Sequence, residues 1–180
     1  MDRKKTDEAE NHEGHRRRLW ATGLTVAVVA AALVSYWAYR AAADLPGVKL
    51  PGLGNAHIQM ATDPHVPYNS EPPTSGPHLP YIAPWGIHTE PIVKELQVHN
   101  LEDGGVMVQY HCAPPCPDLV AKLTEIVRRY ETQVILAPYP GMRTRIALSA
   151  WTRLDAFDDF DEARVVRFIR TYRGIDHHKG

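Results

Sequence analysis

The chain has 180 residues, with 20 Lys+Arg against 21 Asp+Glu and a formal net charge of −1. That length is a prior for one domain with accessories, and the even charge balance gives no global signal for nucleic acid or a strongly charged substrate. The information lies in how the residues are distributed.

Residues 1–18 are polar and end in the basic run His15-Arg16-Arg17-Arg18, whereas residues 19–39 carry no charge. About 20 apolar residues in a helix cross a hydrocarbon core of roughly 30 Å, so this stretch is expected to be a transmembrane helix. Trp20 at one end and Tyr36, Trp37 and Tyr39 at the other suit the headgroup zones. The basic cluster ahead of the span places the N-terminus in the cytoplasm and the rest outside. The expectation is a single-pass cell-membrane protein whose contact with the membrane is residues 19–39. A cleaved signal peptide is the alternative, with Ala41-Ala42-Ala43 as a small-residue cleavage site. The apolar run exceeds the usual ~7–15-residue core of such peptides. Either way the remainder is exported.

Residues 40–56 read as a linker, because Pro46-Gly47, Pro51-Gly52 and Gly54 disfavour regular structure. An extracytoplasmic globular domain is expected over 57–176, with 177–180 as a frayed tail. Its first part, 57–92, is irregular and rich in proline. So long a loop in a compact domain is usually functional or wrapped over the core. Val93 to Val98 is a candidate short strand and residues 105–111 a firmer one. Pro117 then opens a helix, since proline suits the first helical turn. Its apolar stripe is Leu119, Val120, Leu123, Ile126, Val127 and Tyr130. Strands follow over 132–137 and 145–151. Asp158, Asp159 and Asp161 are candidate N-caps for a last helix with Val165, Val166, Phe168, Ile169 and Tyr172 as apolar positions. The implied fold class is α+β: one N-terminal transmembrane helix plus one small domain with a mixed β-sheet flanked by helices. A thioredoxin-like α/β arrangement is the alternative.

Six histidines fall between His57 and His111. Imidazole suits zinc, copper, iron and nickel. The spacings match no compact metal motif, so a site would gather its ligands from distant segments. His78 closes the string Pro72-Pro73-Thr74-Ser75-Gly76-Pro77-His78. There the prolines fix φ and Gly76 admits an unusual backbone angle, a rigidity that can aim an imidazole or simply make a stiff turn. Ser75 beside it lacks the nucleophile elbow of a hydrolase. His99, Glu102 and Asp103 offer one nitrogen and oxygens to a cation, in a segment read as a polar hairpin with Asp103-Gly104 as its turn.

The only cysteines, Cys112 and Cys116, stand where a strand gives way to a helix. Outside the cytoplasm they can form a lasting disulfide. As thiolates they suit a soft metal, with Cu(I) the natural candidate. A thiol–disulfide oxidoreductase is the third reading, although its usual spacing is C-x-x-C.

Two resemblances add to this. Cys112-x-x-x-Cys116-Pro117 after a strand, with His111 before it, resembles the copper-loading loop of Sco-type copper chaperones. That likeness covers about fifteen residues and implies a thioredoxin-like fold with two cysteines and a distant histidine as copper ligands. The wider resemblance covers residues 55–173. Tyr68-Asn69-Ser70-Glu71-Pro72-Pro73-Thr74-Ser75-Gly76-Pro77-His78, Val98-His99-Asn100-Leu101-Glu102 and Ala150-Trp151 resemble the bacterial family known as domain of unknown function 3105. It implies an anchored or exported domain, with histidines matching His57, His78 and His99. Asp103 stands where the family commonly has a further histidine.

The leading expectation is an extracytoplasmic metal-binding protein acting in metal delivery or tolerance, with a delivery partner protein. The metal is copper, with zinc as second choice, and the protein binds rather than catalyses. Its metal ligands would be His57, His78, His99, Cys112 and Cys116. The alternatives are a non-catalytic envelope scaffold with a structural disulfide and a thiol–disulfide oxidoreductase.

Overall fold

The computed structural model describes residue 24, residues 26–40 and residues 44–178. Two units are distinct, one up to Leu45 and one from Pro46 onward. In the first, residues 26–40 form helix α1. Val26, Val28, Val29, Leu33, Val34, Tyr36, Trp37 and Tyr39 are all exposed on it. Among the described residues no helix is long and apolar enough to cross a membrane. The expected tail 1–18 and positions 19–23 and 25 of the expected span lie outside the described residues.

The second unit runs β1 (Val48–Lys49), β2 (Gly86–Ile87), α2 (Lys94–Glu102), β3 (Val106–Tyr110), α3 (Pro117–Val127), β4 (Val134–Pro138), β5 (Ile146–Ala150), β6 (Arg153–Phe157) and α4 (Glu162–Tyr172). These make a mixed α+β fold on one six-stranded sheet of order β1-β6-β5-β3-β4-β2. The central strands β3, β4 and β5 are near-continuous apolar runs, as strands covered on both faces must be. Strands β3 and β4 pair in parallel, joined by α3, with Val108 opposite Leu136. Strand β3 pairs antiparallel with β5, Val108 opposite Leu148.

Because successive side chains point to opposite faces, each strand feeds two cores. On one face Val106, Val108, Leu136 and Leu148 meet Leu123 and Ile126 of α3 and Val165, Phe168 and Ile169 of α4. Asp161 caps α4, accepting from the Arg164 amide at 3.0 Å. On the other face Met107, Ile135 and Ala137 meet Leu101 of α2 and Ala83, with Trp85 and Trp151 at the margin.

Two expectations are corrected, and one strand is added. Val93 to Val98 is not a strand: Lys94–Glu102 is helix α2. Its buried half carries Gln97, His99, Asn100 and Glu102 beside Val98 and Leu101, so the apolar stripe that announces a helix is missing. Strand β6 follows β5 through Trp151-Thr152, where Thr152 has φ 57°. A β-branched residue there is uncommon and gives no turn signal. The Thr152 amide donates to Thr74 O (2.9 Å), and its carbonyl accepts from Leu50 N (2.9 Å). Finally, residues 46–56 of the expected linker lie along the domain: β1 pairs with β6, and the Tyr172 hydroxyl donates to Pro46 O at 2.6 Å.

Candidate metal centre

The irregular segment brings two distant histidines side by side. Residues 54–58 run parallel to 76–78, held by Gly76 N to Gly54 O (3.0 Å), His78 N to Ala56 O (3.0 Å) and Ile58 N to His78 O (2.8 Å). His57 and His78 form the bridge pair, their ring centroids 4.9 Å apart. The proline string is the stiff partner in this pairing. Gly76 has φ 126°, and a Cβ there would lie 3.1 Å from the Tyr68 ring. Tyr68 donates its hydroxyl to Pro77 O at 2.6 Å. Ser75 accepts from Leu53 N at 3.1 Å, a contact that ties down the segment leading to His57.

Helix α2 supplies the other side. His99 and Glu102 are three residues apart, which puts them on one helical face. The His99 ring lies 5.3 Å from His57 and 5.0 Å from His78. One ligand atom from each of His57, His78, His99 and Glu102 lies within 4.8 Å of the others. Donors held tetrahedrally at about 2.0–2.1 Å from an ion sit roughly 3.3 Å apart, so side-chain shifts of about an ångström would close the set.

Hydrogen bonds decide which nitrogen faces inward. His78 Nδ1 lies 2.8 Å from Gly76 O, and His99 Nδ1 lies 2.7 Å from Leu79 O. A carbonyl only accepts, so both Nδ1 atoms carry a proton, and Nε2 is the nitrogen that each ring turns toward the cluster. This is the arrangement typical of metal-ligating imidazoles. His78 Nε2 is 2.9 Å from Glu102 Oε2, with both side chains buried. A bare nitrogen and a carboxylate oxygen are both acceptors, so a proton or a cation has to lie between them. Burial holds the His78 pKa below the ordinary imidazole value, against the opposing pull of the Gly76 carbonyl and Glu102. Asn55 donates to Glu102 Oε1 at 2.7 Å, which turns Oε2 toward the imidazoles. His57, the exposed member, has its Nε2 3.8 Å from the same oxygen.

Residues 57–179 match the family described as "Protein of unknown function (DUF3105)". The chain belongs to this family. No curated protein and no solved structure matches the chain. The DUF3105 match spans every member of the quartet and reaches through the segment after α4.

That segment is the second surprise for a reading of 177–180 as a frayed tail. His177 N donates to Glu102 O at 2.9 Å, and its ring stacks on Trp151 with centroids 5.8 Å apart. Burial lowers the His177 pKa. His178 Nε2 lies 3.4 Å from Asp103 Oδ1 and 3.6 Å from Glu102 Oε2. Glu102 was in view as an oxygen donor but not among the expected ligands. The i, i+3 spacing of His99 and Glu102 signals it once α2 is recognised as a helix, whereas nothing local signals His178.

The structure does not bring the cysteines into this cluster. Cys112 and Cys116 are joined in a disulfide, with Cα atoms 5.6 Å apart. They follow the C-terminal end of β3, while His99 and Glu102 precede its N-terminal end. Five strand residues separate those ends by about 16 Å. The disulfide lies on a groove of about 740 Å³ lined by Tyr110, His111, Val120, Ala121, Tyr139 and prolines. In the disulfide neither sulfur is a thiolate, the form that ligates metal. Among the described residues the possible metal groups contain no sulfur.

Proposed function

We propose that this chain is a membrane-anchored, extracytoplasmic metal-binding protein that holds one divalent transition-metal ion in metal delivery or tolerance. The observation that carries the reading is the convergence of Nε2 of His78 and His99, each turned inward by an Nδ1–carbonyl hydrogen bond, with His57 and the buried Glu102 carboxylate. Three imidazoles and one carboxylate form a borderline donor set suited to copper(II) or zinc(II). That set points away from the sulfur-rich coordination that favours Cu(I). The uncharged sequence 19–39, the all-round apolar exposure of α1 and the basic run before it support the anchor and its orientation. A disulfide fits an oxidising compartment.

The test uses the full chain in detergent, loaded separately with copper(II) and zinc(II), dialysed, and measured for metal per chain. The expected result is one ion per chain. His99→Ala and His57→Ala should each lose about 10-fold or more in affinity with unchanged circular dichroism. Absence of uptake by the folded wild-type chain overturns the reading.

One observation favours a second reading. The His78 ring also meets Trp151 edge-on at 6.3 Å, as a member of a purely structural polar network would. With the disulfide and its apolar groove, this describes an envelope scaffold. That scaffold takes up no metal, and chelator leaves its stability unchanged.

A further inference from the structure

The quartet is not the whole of the donor arrangement. A second group, His99, Asp103 and His178, also has its ligand atoms within 4.8 Å of one another, and His99 belongs to both groups. The His178 Nδ1–H donates to Asp176 Oδ1 at 2.7 Å, which leaves Nε2 as the nitrogen facing Asp103. A carboxylate behind an imidazole in this way fixes its tautomer and raises its strength as a ligand.

His178 is also held there by its surroundings. Gly174 N donates to Gly104 O at 2.8 Å, next to the His177 contacts with Glu102 and Trp151. Gly104 has φ 76°, and a Cβ on it would lie 2.8 Å from Ile175 N. The lack of a side chain at Gly104 therefore lets the segment after α4 approach the end of α2.

The shared residue sets the rule of occupancy. The Nδ1–H of His99 is committed to Leu79 O, so a single lone pair on Nε2 serves both groups. It ligates one ion at a time. The two groups also differ in depth: Glu102 and His78 are buried, whereas His178 is exposed.

We infer that the domain holds one ion in two alternating positions: an inner one on His57, His78, His99 and Glu102, and an outer one on His99, Asp103 and His178. The ion arrives at the outer position and passes inward by exchanging Asp103 and His178 for the inner ligands while His99 stays bound. Release runs the same exchange in reverse. This rests on the metal-binding reading above and adds the route by which the ion moves.

The test uses zinc(II) on the full chain, with stoichiometry from equilibrium titration and release rates from stopped-flow transfer to excess chromophoric chelator. Wild type is expected to bind one zinc per chain. His178→Ala and Asp103→Asn should keep that stoichiometry and most of the affinity but slow both uptake and release by about 10-fold. His178 is exposed and Asp103 half-buried, and circular dichroism checks that the variants fold. Wild-type rates in both variants, or two zinc ions per wild-type chain, overturn the two-position inference and leave the inner site standing. No zinc on the wild-type chain overturns both.

Discussion

The two ends of β3 handle polar chemistry in opposite ways. Beyond its C-terminal end, the two sulfurs satisfy each other covalently beside an apolar groove. Before its N-terminal end, imidazole nitrogens converge on carboxylate oxygens around the buried His78–Glu102 pair. A closed covalent link holds the fold and asks for nothing more. A set of facing acceptors is costly unless a cation completes it. The contrast separates a structural element from the proposed binding one without appeal to residue type, since both ends carry residues that ligate metals elsewhere.

The largest expected effect comes from breaking the polar end. His78→Ala should abolish stoichiometric metal uptake. It should also cost the metal-free fold about 3 kcal/mol, because the buried Glu102 loses its partner; elemental analysis and urea unfolding read the two losses. Glu102→Gln sharpens the comparison by splitting the signs. A glutamine amide can donate to His78 Nε2 while its oxygen keeps the Asn55 contact, so metal-free stability should hold or rise. Metal affinity should fall by about 10–100-fold in a competition titration. A network that is structural only would show no such opposition. At the other end, changing both Cys112 and Cys116 to Ala should remove about 2 kcal/mol of stability, the loop-closure term for so short a loop. Metal affinity should stay within about twofold, since no ligand is touched. A large affinity loss would mean the two ends are coupled. The last comparison is Gly104→Ala, at about 1–2 kcal/mol for a side chain in the left-handed region, beyond the displacement of the Gly174–Ile175 backbone it meets. It should also reproduce the slow metal release of the His178 variant, because it dislodges the segment that carries His178.

Much of the sheet was legible in the sequence, and for a simple reason. Strands β3, β4 and β5 are buried on both faces and read as apolar runs, while α3 and α4 carry helical stripes. Helix α2 was not legible, because it buries amide and imidazole groups whose partners lie in other segments: Gln97 accepts from Gln109, and Asn100 bonds both amide and carbonyl of Ala83. Only tertiary structure makes such a surface worth burying. The same holds for the site. His57, His78 and His99 were nameable as isolated imidazoles, but their convergence depends on a parallel pairing across 21 positions and on an unrecognised helix. His178 was hidden because a polar stretch after the last helix reads as solvent-exposed until its glycine contact is seen.

The pairing of His57 with His78 carries a consequence for the life of the chain. The four inner donors are spread from residue 57 to residue 102, over an irregular segment and a helix, so no unfolded stretch can assemble them. On the proposed metal-binding reading, a misfolded copy would not sequester the ion.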